Sequence, residues 1–407
     1  MVRGGDSARG VARRFGVSLS HLQYWLRRAG SLRLDRVKWT DRPRVSSPPA
    51  NRTPDPVEVR ILQARGSLRS SPLGDCGALA IRDELLRVEP DGSVPCVRTI
   101  GRILKRSGVL DGRIRTRRTP PPPGWYLPAL ARREAELDSF DTVEGLVIAG
   151  GIQVEVLNAM SLHGHLPGSW PEGPFTTDSV LAALLAHWRQ HGRPTFAQFD
   201  NALIFQGPHH YADTLGRVVR LCLQLDIIPV FAPPRETGFQ AAIESYNARW
   251  QSRVWQRFTH PDLAALRHRS ASYVEASRAK HAIRIGAATP LRRPFPKSFE
   301  FDPKAPLAGT VIFLRRTDGE GTLTVMGRPY PAGQHWQHRL VRVELNFTLG
   351  FIDLYALRRA AFSHQPSLGR LAYKPLPMKP GRPPALPDRA TRGHRLGAIS
   401  VRKKLPT

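Results

Sequence analysis

The chain has 407 residues, with 61 Lys and Arg against 33 Asp and Glu and a formal net charge of +28. That length supports several domains and at least one large core, and the basic excess fits a polyanionic partner, nucleic acid before any other. No run approaches the ~18 uninterrupted apolar residues of a membrane span, no signal peptide is visible at Met1, and three scattered cysteines (Cys76, Cys96, Cys222) form neither a disulfide framework nor a zinc pattern, so a reduced, cytosolic protein is expected.

Residues 1–30 predict two helices around a turn at Gly16. Val11, Ala12 and Phe15 line the inner face of the first, Ser18 caps the second, and Leu22, Trp25 and Leu26 bury it. Ser20, Gln23, Tyr24 and Arg27 are left to face a DNA major groove, as in a helix-turn-helix. A trihelical unit of that kind needs an earlier helix, and residues 1–6 leave no room for one, so this unit is expected to be truncated. Residues 31–54, rich in Pro, Arg and Ser, read as a linker. A second helical DNA-binding unit, winged-helix-like, is expected over 55–112, with helices at 57–65 and 78–87 and a third opening at Pro95. That third helix turns Ile100, Ile103 and Leu104 inward and Arg98, Arg102 and Lys105 outward. Residues 113–128 form a stiff Pro-rich connector.

An α/β core is expected over 129–285. Strand patterns occupy 135–140 and 152–159 around Gly150-Gly151, followed by a third strand after His163. Then come an amphipathic helix at 178–191, a strand at 195–199 ending in Asp200-Asn201, a helix at 214–225 and a strand at 227–231. Pro233-Pro234 and Gly238 close that strand. The helix that follows carries Ile243, Tyr246, Trp250 and Val254 on one face, with Glu244, Asn247 and Gln251 on the neighbouring one. A last helix at 261–280 closes the core. After a Pro-rich joint at 286–306, short strands at 310–315, 323–326, 341–347 and 352–356 suggest a small SH3-like β-barrel over 307–360. The basic segment 361–407 has too little apolar content to fold alone and reads as disordered.

A carboxylate at a strand end and another early in a helix can converge beside one sheet edge, which is a metal-site arrangement. Asp200-Asn201 followed by Phe205 and Gly207, and the run Gly238-Phe-Gln-Ala-Ala-Ile-Glu244-Ser-Tyr-Asn247, resemble the second and third acidic motifs of the DDE-type integrase/transposase catalytic core. That core is shared by retroviral integrases and many insertion-sequence transposases, and the resemblance runs over roughly the whole chain. It implies an RNase H-like core between helix-turn-helix units and a β-barrel. It also implies metal-dependent cleavage and strand transfer of double-stranded DNA, both element ends and target, by a homo-oligomer on the nucleoid. Two Mg²⁺ (or Mn²⁺) ions ~3.5–4 Å apart suit that chemistry, because hard cations take carboxylate oxygens and activate a water or 3′-hydroxyl without a covalent intermediate. The resemblance places the ligands at Asp138, Asp200 and Glu244, with Asp141 the rival for the first and Glu236 for the third. Asn247 and Gln251 are expected to face DNA beside Glu244.

A non-catalytic DNA-binding remnant of such an element, or a plain RNase H-like nuclease, is the alternative. Neither His209-His210 nor the pair His163 and His165 makes a convincing metal site. With no Gly-rich phosphate loop, a nucleotide cofactor is not expected.

Overall fold

The computed structural model of the protein describes residues 2–40, 53–90, 93–110, 122–207, 213–236 and 238–374. Two compact units are drawn, residues 1–61 and 62–407. In the first, α1 (Ala8–Arg14) and α2 (Leu19–Ala29) start where serine side chains satisfy free N–H groups. Ser7 Oγ accepts from Gly10 N–H and Ser18 Oγ from His21 N–H, each at 3.2 Å. Val11 and Ala12 are buried, Gly16 makes the turn with φ +64°, and Ser20, Gln23, Tyr24 and Arg27 are exposed. Ahead of α1 stands a single 3₁₀ turn, Val2–Gly4.

Helix α3 (Asp55–Ser70) runs across the boundary between the units. In the second unit, α4 (Ala78–Val88) precedes α5 (Val97–Arg106), which buries Ile100, Ile103 and Leu104 and exposes Arg98, Arg102 and Lys105, as its spacing predicts. The short α6 (Pro128–Ala131) leads into a nine-stranded sheet.

Its first strands are β1 (Leu137–Ile148), β2 (Ile152–Ser161) and β3 (Pro167–Glu172), an antiparallel meander. Helix α7 (Thr177–His191) then carries the chain to β4 (Phe196–Phe199), parallel to β1. Helices α8 (Leu203–Gln206) and α9 (Arg217–Gln224) precede β5 (Ile228–Phe231), parallel to β4. Helix α10 (Ala241–Trp250) packs Ile243, Tyr246 and Trp250 against β1 and β2, and α11 (Leu263–Lys280) with α12 (Ala282–Ala288) follows. No helix among the described residues is long and apolar enough to cross a membrane.

The C-terminal strands depart from the expected separate barrel. β6 (Thr310–Arg316) pairs parallel with β5; β9 (Leu340–Asn346), β10 (Phe351–Ala356) and β11 (Ser367–Ala372) continue from it antiparallel. The order is β11-β10-β9-β6-β5-β4-β1-β2-β3, and among the described residues only the hairpin of β7 (Thr322–Val325) and β8 (Arg328–Pro331) stands apart. The reason is visible in β6: Val311 to Leu314 are buried without alternation, as in a strand covered on both faces. One row of rings crosses the junction. Phe140 lies 5.5 Å from Phe199, Phe199 6.1 Å from Phe231, and Phe231 5.3 Å from Phe313, centroid to centroid.

Three segments read as linkers or tail are also built in. Trp125, Tyr126 and Leu127, in the stretch 113–128 read as a connector, are buried in a core cluster. The joint at 286–306 pairs with the core through Arg193 and Arg293, and 367–372, read as part of a disordered tail, forms the edge strand β11. Leu368 and Leu371 pack on the core there, and Arg370 makes a two-point ion pair with Asp353. His209 and His210, and the basic run from 375 onward, lie outside the described residues.

Candidate active site

Parallel pairing between β1 and β4 sets Leu137 beside Phe196, Asp138 beside Ala197 and Ser139 beside Gln198. Two residues further along each strand, on the face that Ser139 and Gln198 share, come Asp141 and Asp200. They stand at the carboxyl end of this parallel pair, where α/β sheets bind their ligands. From the same side α10 approaches, with Glu244 exposed in its first turn and Asn247 one turn on.

Asn247 is 8% exposed and does not face outward as expected. Its Nδ2 donates to Asp141 Oδ2 at 2.7 Å, and its Oδ1 accepts from Asn158 Nδ2 at 2.8 Å. Asn158 pairs with Asp141 across β1 and β2 and with Ser169 across β2 and β3, and Ser169 Oγ donates to Asn158 Oδ1 at 2.6 Å. A polar row thus crosses three strands and holds Asp141 from behind. Gln251 is half-buried where α10 passes into the π-helical turn Gln251–Trp255.

Burial, with the charges of Asp200 and Glu244 adding to it, pushes the Asp141 carboxyl up to about 6. Burial also raises Asp200, whose Oδ1 accepts from Ala202 N–H at 3.0 Å. Asp141 therefore feels both other acids across a partly desolvated edge.

Asp138, expected as the first ligand, lies on the opposite face. It is wholly buried, and Arg292 grips it at both oxygens, Nη1 to Oδ1 at 2.8 Å and Nη2 to Oδ2 at 2.6 Å. Trp188 Nε1 donates to Oδ2 at 3.2 Å. Burial alone would raise this carboxyl, but Arg292 outweighs it and holds the group well below the usual carboxylate range. The physical reason is the strand's period of two: Asp141 lies three positions after Asp138, an odd offset, so they face opposite ways. Its partner Arg292 sits in the segment read as a linker. Glu236, the rival to Glu244, is engaged by Arg316.

The charges of Asp200 and Glu244 act on the Asp141 carboxyl, and a hard divalent cation taking carboxylate oxygens would relieve that repulsion. Among the described residues no three His, Cys, Asp or Glu side chains already stand as a closed ligand set.

No family model and no curated protein matches the sequence. Solved structures do. A simian T-cell lymphotropic virus intasome in complex with PP2A regulatory subunit B56 gamma matches at 13% identity over 71% of this chain and 91% of that one, with a TM-score of 0.32. The catalytic core domain of HTLV-2 integrase, in complex with magnesium, matches at 10% identity over 34% of this chain and 82% of that one, with a TM-score of 0.24. The BIV integrase catalytic core matches at 17% identity over 36% and 97%, also with a TM-score of 0.24.

Proposed function

We propose that this protein is a divalent-metal-dependent polynucleotidyl transferase that cuts and joins DNA strands, with Asp141, Asp200 and Glu244 as its acidic residues. The observation that carries the reading is the place where β1 and β4 part: Asp141 and Asp200 each lie two residues beyond the paired Ser139 and Gln198, and α10 adds Glu244, which acts on Asp141 through space. The order of these acids in the chain fits the acidic motifs that Asp200 and Glu244 resemble, with Asp141 taking the first position in place of Asp138.

Asp141, Asp200 and Glu244 would hold Mg²⁺ or Mn²⁺, which in such enzymes neutralises phosphate charge and lowers the pKa of an attacking water or hydroxyl. The chain's own work is positional. Asn247 and the Asn158–Ser169 row fix the Asp141 carboxylate, and Ala202 N–H fixes that of Asp200. The exposed groups of α2 and α5, among them Gln23, Arg27, Arg98 and Arg102, are available for duplex DNA.

The test compares Asp141→Asn, Asp200→Asn, Glu244→Gln and the parent for Mn²⁺-supported nicking of plasmid DNA. All three variants are expected to be inactive yet folded and DNA-bound. Parent-like nicking by Asp141→Asn would remove it from the site, and parent-like nicking by all three would end the strand-transfer reading.

A further inference from the structure

At the same carboxyl edge of the sheet, around the corner from the acids, lies a cleft of about 650 Å³ between the end of β6, the Asn201 turn and the β7–β8 hairpin. Arg315 forms its floor, 8% exposed, with its guanidinium 5.0 Å from the centre of the Phe313 ring. Its hydrogen bonds go to neutral acceptors: Nη1 donates to Leu314 O at 2.9 Å and Ala232 O at 3.4 Å, and Nη2 to Asn201 Oδ1 at 2.9 Å. A guanidinium has more donors than these acceptors take up.

No carboxylate among the described residues pairs with Arg315. Asp318, on the cleft wall, turns Oδ1 to the N–H groups of Glu320 and Thr322, and neighbouring Arg316 is taken by Glu236. A cation this deeply buried is costly to leave uncompensated. Burial alone lowers it to about 10, with no opposing acid to restore it. Planar guanidinium donors over a ring match the oxygens of a phosphate better than a water can.

The position adds direction. Register aligns Phe199, Phe231 and Phe313 across β4, β5 and β6, so Asn201 and Arg315 are each two residues beyond one row. Asp200 precedes Asn201 in the turn that follows β4, its Oδ1 accepting from Ala202 N–H. A strand of nucleic acid crossing this edge meets acids on one side and an unpaired cation on the other.

We propose that the Arg315 cleft binds a phosphate group, namely a phosphodiester of the DNA strand next to the one held at the acidic residues. This rests on the strand-transfer reading for the identity of the polymer, and on the cleft alone for the phosphate. It gives the C-terminal strands a part in substrate binding that a detached barrel would not have.

Full-length parent, Arg315→Gln and Arg315→Lys are titrated with a fluorescent random duplex at several KCl concentrations, after thermal melts have shown cooperative unfolding. Loss of one phosphate contact is expected to reduce the slope of log affinity against log salt by ~0.9 in Arg315→Gln. Arg315→Lys keeps the charge without the fork, so it should keep the slope and bind more weakly; it serves also if Arg315→Gln does not fold. In a second arm, inorganic phosphate replaces chloride at constant ionic strength. The melting temperature of the parent and of the surface control Arg339→Gln should rise more than that of Arg315→Gln. An unchanged DNA slope with a lost phosphate response assigns the cleft to a free phosphate and overturns the DNA assignment. Unchanged behaviour in both arms overturns the site. If the parent binds no duplex even at low salt, the strand-transfer reading falls, and the phosphate arm alone decides the cleft.

Discussion

Asp138 and Asp141 are three residues apart on one strand and have opposite electrostatic fates. Asp138→Asn leaves Arg292 buried beside an amide, so it should destabilise the fold by ~3–5 kcal/mol, read by denaturant melts. Asp141→Asn should do the reverse. The Asp141 carboxyl is raised from 3.8 to about 6 in the fold, so its contribution is most favourable below the unfolded value and is lost as pH rises through about 6. In metal-free buffer at pH 7.5 the variant is therefore expected to be more stable than the parent by up to ~2 kcal/mol, allowing for partial solvent screening. That gain should fade as pH falls toward 4, and a gain independent of pH would mean that charge is not its source. The sequence held enough to rank these residues only once register was known. An apolar residue precedes each of them, Leu137 before Asp138 and Phe140 before Asp141, so the chain pattern does not choose; the pairing of Ser139 with Gln198 does.

At the level of elements, α10 was the most legible part of the chain. Spacing alone put Ile243, Tyr246 and Trp250 inward, and all three are buried. Trp250 also donates to Ser270 Oγ at 3.0 Å, so Trp250→Ala should cost ~3–5 kcal/mol in a thermal or chemical melt. Asn247 was misread because helical periodicity separates apolar from polar faces but cannot tell a solvated amide from one inserted between strands. Asn247→Leu removes partners from both Asp141 and Asn158 and is expected to cost ~1–3 kcal/mol while sharply reducing nicking. Normal nicking by that variant would show that Asp141 does not need to be held. For β6, the uninterrupted run Val311 to Leu314 already spoke for a central strand. The clean alternation of β9 drew attention to a half-buried barrel strand instead.

For the whole molecule, one sheet and two hydrophobic clusters join the core to the C-terminal strands: Phe140, Phe199, Phe231, Phe313 and Val343 belong to one packed set, and Leu137, Phe196, Val230, Ile312 and Leu314 to the other. A protein truncated after residue 306 would expose the edge of β5 and the apolar residues that pack against β6 and β9. It is expected to be insoluble or to lack a cooperative melt, whereas a free-standing barrel could be removed without harm. A soluble, cooperatively melting fragment would contradict the continuous sheet. The +28 charge acts at this scale too: duplex binding by the full chain should weaken steeply with salt, measured as a log–log slope of several units. Why composition could not reveal the continuous sheet is simple. Pairing between β5 and β6 joins residues about eighty positions apart, and no local pattern records a partner at that distance.

The same junction bears on when the protein becomes competent during its synthesis. Asp141, Asp200 and Glu244 all leave the ribosome before Thr310 does, yet Asn201, next to Asp200, is clamped by Arg315 from β6. A nascent chain therefore carries its acids on an unsealed sheet until β6 (Thr310–Arg316) has been made. An unfinished chain has the acids without the strand whose Arg315 holds the neighbouring Asn201.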